Sequence, residues 1–321
     1  MKPLKLIFMG TPAFALPSLD LLYLSTHKIE ALVLPPDRPC GRGGRVIYAP
    51  TKKWALKHNL ELVQPEQLSE NSFMTWLKAK QPDLIVTVAF GRLLSTAILK
   101  LPALGCINLH ASYLPAYRGA APIHRAVIDG ARFSGVSVIE MTPELDAGDI
   151  FMQEKVELSP FDTAGMLHDR LAVRGASLLT GTIDALAAGN ANKTSQDNTL
   201  ATYAPPLTTE DECIDWSCKA IDIYNRIRGL NPWPGAYTIY DGKRLKVWRA
   251  LYPEQAGKEI TQKPPGTILA VGKDSMTVST GEGTLTLLDI QPAGKKVMDA
   301  GSFCCGYRIE PGIRLCGDQG R

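Results

Sequence analysis

The sequence predicts an α/β fold in which a doubly wound, mostly parallel β-sheet is followed by a small antiparallel β-barrel. In the first 189 residues, short apolar runs typical of buried strands alternate with helical stretches, an order that favours a parallel sheet covered by helices. After residue 207, short alternating segments are interrupted by Gly and Pro, as is typical of a small barrel. At 321 residues the chain is longer than one core usually supports, so two domains are expected.

The first domain begins with an apolar run that is closed by Gly10 and Pro12, and a helical pattern follows. Strands and helices then continue to alternate. The predicted strands are residues 4–9, 29–34, 60–63, 84–89, 107–110 and 136–141, and the predicted helices are residues 14–24, 51–58, 69–80, 119–128 and 164–186. Gly10 does not open a G-x-G-x-x-G pattern, so we do not expect a nicotinamide dinucleotide at this strand.

A polar run marks the predicted domain boundary. Residues 189–197 lack apolar periodicity, and a Pro-Pro pair follows at 205–206. We therefore predict a first domain at residues 1–189, a linker at 190–206 and a second domain at 207–321. The second domain is predicted to contain a helix at 218–229 and strands at 237–240, 245–250, 266–271, 276–279 and 285–290.

The composition, with 45% hydrophobic and 21% charged residues, is typical of a folded globular protein and excludes a disordered chain. No segment approaches the length of a membrane span, and the first apolar run is too short for the core of a signal peptide. The seven cysteines form no C-x-x-C pair. We expect a cytoplasmic protein with reduced thiols, no metal site and no membrane partner.

Positive charge is concentrated in one segment, although the net charge is only +3. Residues 38–60 contain no acidic side chain and several glycines. Their basic residues are Arg38, Arg42, Arg45, Lys52, Lys53 and Lys57. A solvated surface loop and a loop that binds an anionic partner are equally good interpretations of this pattern.

Two polar side chains lie at the end of the fifth predicted strand. Because side chains alternate along a strand, Asn108 and His110 share one face. Ligands of open α/β sheets bind beyond the carboxyl ends of the strands. With Asp146, which follows the next strand in a turn-rich loop, these residues suit acyl transfer: an amide to hold an oxyanion, an imidazole to move a proton and a carboxylate to orient it.

A purely structural interpretation of these residues stays open from the sequence alone. Asn108 could cap the strand end, and His110 could satisfy a buried backbone group. A metal site built on His110 and Asp146 lacks an evident third ligand. The chain has neither a G-x-S-x-G elbow nor a G-x-x-x-x-G-K-[ST] loop, and Cys106 suits a buried filler better than a nucleophile.

Several motifs, taken together, resemble the family of enzymes that transfer a formyl group from 10-formyltetrahydrofolate. The motifs of the candidate site are NLHAS at 108–112, LP at 114–115, RGAAPI at 118–123 and LDAGD at 145–149. Others narrow the resemblance to the members that act on methionyl-tRNA: MGTPAFALPSL at 9–19, PDRPCGRG at 36–43, NPWPGA at 231–236, QPAGKKVM at 291–298 and GYRIEPG at 306–312. The resemblance extends over essentially the whole chain.

The resemblance implies a Rossmann-like catalytic domain and an OB-like barrel that binds tRNA. It implies that Asn108 holds the formyl oxygen as an oxyanion, that His110 moves a proton and that Asp146 orients the pair and helps to deprotonate the attacking amine. It also implies that 10-formyltetrahydrofolate is the formyl donor, and the steps of such a transfer demand no metal. The residues that would line the folate site are Ser112, Tyr113, Leu114 and Pro115.

The implied acceptor is methionyl initiator tRNA. We expect the protein to be a monomer, although the sequence does not indicate an oligomeric state. The basic loop, with Arg42 foremost, would hold the acceptor end of the tRNA. From residue 207 onward, 15 Lys and Arg face 14 Asp and Glu, so binding by the barrel must depend on a local cluster. The residues of the loop and of the barrel cluster that we expect to bind tRNA are Arg38, Arg42, Arg45, Lys243, Arg244, Lys246 and Arg249.

Two alternative functions remain from the sequence. One is a formyltransferase for another amine, such as an amino sugar nucleotide or a purine precursor, or a hydrolase that frees formate; neither needs an RNA-binding barrel. The other is a non-catalytic RNA-binding protein. The chain departs from the family pattern at Ala13, where Glu is frequent, at Tyr113, where Leu is usual, and in the run before Asp146.

Overall fold

A computed structural model describes residues 2–40, 45–253 and 263–316. The strands are β1 (Lys5–Met9), β2 (Lys28–Val33), β3 (Pro39–Cys40), β4 (Arg45–Val46), β5 (Leu62–Val63), β6 (Leu84–Val88), β7 (Cys106–His110), β8 (Phe133–Glu140), β9 (Ile150–Glu157), β10 (Ala236–Tyr240), β11 (Lys243–Ala250), β12 (Ile268–Val271), β13 (Met276–Ser279), β14 (Thr284–Pro292) and β15 (Met298–Asp299). The α-helices are α1 (Leu16–Leu24), α2 (Pro50–Lys57), α3 (Asn71–Lys80), α4 (Thr96–Leu99), α5 (Pro122–Ile128), α6 (Ala164–Ala187), α7 (Thr209–Glu212), α8 (Ala220–Gly229) and α9 (Ala300–Tyr307).

The main sheet has seven strands in the order β5-β2-β1-β6-β7-β8-β9. The five strands from β5 to β7 pair in parallel, and β8 is antiparallel to β7. All five side chains of β6 are buried, as expected for a central parallel strand that is covered on both faces. The predicted doubly wound, mostly parallel sheet is therefore confirmed.

The site strand β7 lies between β6 and β8. Its Asn108 is in register with Thr87 of β6, and its His110 is in register with Ser137 of β8. On the opposite face, helix α6 packs so closely that a methyl group at Gly175 would lie 2.8 Å from Leu109 Cδ2. Because α6 covers the Leu109 side of the strand, Asn108 and His110 project from the opposite face of the sheet.

Two longer elements were not predicted from the sequence, besides the short elements β3, β4, β15, α4 and α7. Strand β9 is an edge strand in which only Ile150 and Val156 are buried, so its pattern resembled a polar loop. Helix α9 contains Gly, Ser and Cys, which are weak helix formers, and it is stabilised by tertiary packing of Phe303 and by a cap in which Asp299 accepts from the Ser302 N–H.

Contacts divide the chain into two compact units. The first contains residues 1–122, 134–156 and 168–204, and the second contains residues 123–133, 157–167 and 205–321. The predicted boundaries at 189 and 207 stay a prediction, since this division assigns two short stretches of the first half to the second unit.

The second unit contains an antiparallel sheet in the order β10-β11-β14-β13-β12, with β15 paired to β14. Residues 314–316 join the two edges of this sheet, because Arg314 forms a β-bridge with Thr267 next to β12 and Cys316 forms one with Ile239 in β10. Inside lies a core that includes Val247, Met276 and Phe303. The predicted small antiparallel barrel is thus confirmed.

None of the helices within the described parts of the chain combines the length and apolar character that a membrane span requires.

Candidate active site

Asn108 is oriented by a hydroxyl on the neighbouring strand. The Thr87 Oγ1 donates to Asn108 Oδ1 at 2.8 Å, and Thr87 is only 2% exposed. Because the carboxamide oxygen of Asn108 is bound by Thr87, the NH₂ group of Asn108 points away from Thr87. Asn108 is half-buried, so this NH₂ group can donate a hydrogen bond to a ligand. The amide is thus arranged as a hydrogen-bond donor.

The tautomer of His110 follows from its contact with a backbone carbonyl. His110 Nε2 lies 2.9 Å from the Tyr117 carbonyl oxygen, which can only accept, so Nε2 carries the proton. Nδ1 then has a free electron pair and lies 3.6 Å from Asp146 Oδ2, which is too far for a hydrogen bond but close enough for charge stabilisation. A proton taken up at Nδ1 would therefore be stabilised by the carboxylate.

Asp146 is held in an uncommon backbone conformation. Its φ is +50°, which costs roughly 1–3 kcal/mol for a residue with a side chain. Its Oδ2 accepts the Gly119 N–H at 2.9 Å. Gly119 has φ +120°, and a methyl group at this position would lie 2.7 Å from the Ala204 carbonyl oxygen. Any other residue at position 119 would therefore strain the backbone that places the N–H donor to Asp146.

The structure thus brings His110 and Asp146 together, with Asn108 two residues earlier on the same strand. The side chains of His110 and Asp146 are 6% and 13% exposed, so water screens their interaction little. Their catalytic roles stay a prediction.

The four residues predicted to line the folate site have two different environments. Ser112 and Leu114 are buried: the Ser112 hydroxyl donates to the Ala116 carbonyl at 2.6 Å, and the Leu114 N–H donates to Ser137 Oγ at 3.1 Å. Tyr113 is exposed and Pro115 is half-buried. Ser112 and Leu114 therefore shape the loop, while Tyr113 and Pro115 have accessible surface, and the role of all four residues at a folate site stays a prediction.

The predicted tRNA residues of the basic loop are only partly described. Arg38 is exposed, and its guanidinium lies 3.8 Å from Glu66 Oε2. Arg42 and the side chain of Arg45, which begins β4, lie outside the described residues.

The predicted tRNA residues of the barrel lie on β11. Lys243 is exposed at the start of the strand, and the Arg244 guanidinium covers the Tyr237 ring at 4.2 Å. Lys246 Nζ donates to the Pro234 carbonyl at 2.6 Å, and Arg249 Nε donates to Asp289 Oδ2 at 2.7 Å. Lys246 and Arg249 therefore already donate to acceptors within the protein. An RNA phosphate would have to compete with these acceptors or bind the N–H groups that they leave free.

Cys106 is buried in the core, and burial raises the pKa of its thiol to about 12. Since the thiolate is the nucleophile, this environment favours the filler interpretation. Within the described part of the chain, we find no group of three or more His, Cys, Asp or Glu side chains that could hold a metal ion.

We expect Cys106 to stay unmodified when the native protein is treated with iodoacetamide at pH 8. The exposed Cys305 and Cys316 should be alkylated under the same conditions, and all three should react after unfolding in urea. Peptide mass spectrometry measures each site. Alkylation of native Cys106 at a rate similar to that of Cys305 would contradict the assignment of a buried, protonated thiol.

Two residues of the site were missed by sequence reasoning. Thr87 is the polar residue in an otherwise apolar buried strand, a signal that a hydrogen-bond partner must exist nearby. Gln196 lies in the predicted linker, where no periodicity distinguishes it, yet its Nε2 donates to the Asp146 carbonyl at 2.8 Å.

Comparison with known proteins identifies the class. The family model described as formyl transferase matches residues 4–183, and the model described as formyl transferase, C-terminal domain, matches residues 206–308. Among solved structures, HypX from Aquifex aeolicus in complex with tetrahydrofolic acid has a TM-score of 0.65 at 15% identity, over 97% of this chain. The chain spans about half the length of HypX, 48%.

A second structure, an N-formyltransferase from Helicobacter canadensis in complex with folinic acid and dTDP-3-aminofucose, has a TM-score of 0.65 at 16% identity, over 90% of this chain and 99% of that one. Both structures have the same fold as this chain. The methionyl-tRNA formyltransferase of Moorella thermoacetica is 49% identical over 311 residues, which cover 96% of this chain and 98% of that protein. The chain belongs to the formyl transferase family, and within it to the methionyl-tRNA formyltransferases. The prediction of a formyl-transferring enzyme is confirmed.

Proposed function

We propose that the protein transfers the formyl group of 10-formyltetrahydrofolate to the α-amino group of methionyl initiator tRNA, for the start of translation. One observation carries this proposal: in a member of this family, His110 Nδ1 faces the Asp146 carboxylate, and Asn108 presents an amide donor on the same strand. We further propose that the enzyme acts as a monomer in the cytoplasm.

The first task of the site is to remove a proton from the attacking amine. A free α-amino group has a pKa of about 8, so much of it is protonated at pH 7 and cannot attack. The neutral form of the amine attacks, and its nitrogen becomes positively charged as the new bond forms. His110 Nδ1 has the free electron pair that can take the proton which this nitrogen must then lose, and the nearby Asp146 carboxylate stabilises the imidazolium that results.

The second task is to stabilise the oxyanion that forms when the amine attacks the formyl carbon. The Asn108 NH₂ group is fixed before the reaction by the bond from Thr87 to the carboxamide oxygen. A donor that is already oriented costs no reorganisation when the charge develops.

The last task is to return a proton to the departing folate nitrogen. His110 holds the proton that came from the amine, and its ring stays oriented by the bond from Nε2 to the Tyr117 carbonyl. The folate supplies an activated formyl group and a nitrogen leaving group, and the Asn108–His110–Asp146 site supplies the acid, the base and the oxyanion donor.

We propose that Tyr113 and Pro115, supported by Ser112 and Leu114, line the folate site. The folate ligands in the HypX and Helicobacter canadensis structures support a folate as the donor, since they have the same fold. The exposed Tyr113 ring has Lys155 Nζ 5.9 Å from its centre, so this side of the loop has a positive charge next to an aromatic surface.

We also propose that Arg38, Arg42 and Arg45 hold the acceptor end of the tRNA, helped by Lys243, Arg244, Lys246 and Arg249 of the barrel. The first three belong to the segment without acidic residues, and phosphate contacts supply most of the affinity for nucleic acids.

For the loop, we expect Arg42→Ala to raise the KM for methionyl-tRNA roughly 10-fold, the effect of losing a charge-assisted contact of about 1.5 kcal/mol. The KM for 10-formyltetrahydrofolate should stay within twofold. Steady-state kinetics with each substrate varied in turn measures both values, and Lys78→Ala, which removes an exposed charge on α3, is the matched control. Equal increases in the two KM values would rule out a tRNA-specific role for Arg42.

The function itself is tested by a choice of acceptors. Labelled 10-formyltetrahydrofolate is offered together with methionyl initiator tRNA, methionyl elongator tRNA, free methionine, an amino sugar nucleotide and water. We expect the label on methionyl initiator tRNA. Label on the amino sugar nucleotide, or released formate with no labelled acceptor, would contradict the proposal and favour one of the two alternative enzymes.

A further inference from the structure

Gln196 connects two loops of the candidate site. Its Nε2 donates to the Asp146 carbonyl at 2.8 Å and to the Gly148 carbonyl at 2.7 Å. Both N–H groups of one carboxamide are therefore used on the short turn that carries the Asp146 carboxylate. The turn needs such support, because Asp146 has a φ of +50°.

The other end of the carboxamide is fixed by a buried arginine. Gln196 Oε1 accepts from Arg118 Nη2 at 2.7 Å and from Arg118 Nε at 3.2 Å. Arg118 is only 4% exposed, and its Nη2 also donates to Asn198 Oδ1 at 2.8 Å. Since a guanidinium donates and never accepts, it fixes the carboxamide with the oxygen toward Arg118 and the NH₂ group toward Asp146.

The segment that carries Gln196 is itself tied to the loops of the site, although its sequence resembled a linker. We call residues 194–204 the strap segment. Its bonds run to the turn after Asp146 and to the loop after His110: Thr194 pairs with Ile150, Ser195 Oγ donates to Asp149 Oδ1, Thr202 Oγ1 accepts from the Tyr117 N–H, and the Ala204 oxygen accepts from the Ala121 N–H.

The loops tied by the strap segment contain the groups that orient His110 and Asp146. The Tyr117 carbonyl holds His110 Nε2, and the Gly119 N–H holds the Asp146 carboxylate. The 3.6 Å separation between Asp146 and His110 is therefore determined by where two loops sit, and Gln196 is bonded to both, through Arg118 on one side and the Asp146 turn on the other.

We propose that Gln196 is a positioning residue for formyl transfer: it sets the Asp146 carboxylate relative to His110, and Arg118 sets the orientation of Gln196. This inference rests on the proposed role of Asp146 as the partner of His110. Gln196 itself touches neither substrate in this assignment.

Gln196→Glu tests the proposal without a change of shape. Glutamate still accepts from Arg118, but its carboxylate has no N–H groups and repels the Asp146 and Gly148 carbonyls. We expect kcat to fall about 10- to 100-fold, as when a catalytic group is displaced by about 1 Å. The KM for each substrate should stay within threefold and Tm within a few degrees. Gln67→Glu, the same change at an exposed position, is the control.

A double-mutant cycle with Asp146→Asn separates positioning from a general structural role. If Gln196 acts through the Asp146 carboxylate, Gln196→Glu should lower kcat less than threefold in the Asp146→Asn background. An unchanged kcat in Gln196→Glu alone, or an equal loss in both backgrounds, would overturn the proposal. The comparison uses whichever acceptor the wild-type enzyme formylates, so failure of the initiator-tRNA assignment would be seen separately in the acceptor experiment.

Discussion

Replacing Asn108 by Ala lowers kcat for formyl transfer about 100- to 1,000-fold, the usual cost of removing one oxyanion donor. The loss is expected in kcat rather than in KM, because the NH₂ group interacts most strongly with the charge that develops during attack. Single-turnover kinetics with enzyme in excess over methionyl-tRNA measures the step directly.

The control for Asn108 is Asn108→Asp, which keeps the size of the side chain and removes the donor. It should be at least as slow as Asn108→Ala, because a carboxylate also repels the oxyanion. Both variants should fold, since Thr87 Oγ1 retains the Ile107 carbonyl at 3.2 Å as an acceptor. Activity within threefold of the wild type in both variants would show that Asn108 is a structural residue.

Replacing Asp146 by Asn lowers kcat about 100-fold or more, within the range for the loss of acid–base catalysis. The amide oxygen can still accept from the Gly119 N–H, so the turn keeps its conformation while the negative charge near His110 Nδ1 disappears. The imidazolium formed when His110 takes the amine proton then has no stabilising carboxylate. The measurement is kcat at saturating concentrations of both substrates.

Asp146→Ala serves as the comparison for this variant. It removes the acceptor of the Gly119 N–H as well as the charge, so it should lower Tm in addition to kcat, whereas Asp146→Asn should lower kcat alone. An Asp146→Asn enzyme with kcat near that of the wild type would mean that His110 works without the carboxylate.

Much of the fold could be predicted because its strongest elements have clear local patterns. Strand β6 is a continuous buried run, and the alternation in β7 placed Asn108 and His110 on one face. Strand β9 could not be predicted in this way, because an edge strand buries few side chains. Helix α9 has a local cap at Asp299, but its weak helix formers need the packing of Phe303, which depends on the folded barrel.

The site could be predicted less completely, because its contacts join residues that are far apart in the chain. The sequence indicated Asp146 by its position after a strand and by the LDAGD motif, but the 3.6 Å distance to His110 depends on the Gly119 and Gln196 contacts. Gln196 was assigned to a linker because polar segments lack periodicity whether they are solvated or bonded to a neighbouring loop.

We expect the Asn108–His110–Asp146 site to pass the formyl group from the folate to methionyl initiator tRNA. The most direct test follows labelled formyl from 10-formyltetrahydrofolate in a single turnover, with wild-type enzyme and Asn108→Ala side by side. We predict labelled formylmethionyl-tRNA from the wild type and a rate at least 100-fold lower from the variant. Equal rates, or label recovered as formate from the wild type, would contradict the claim.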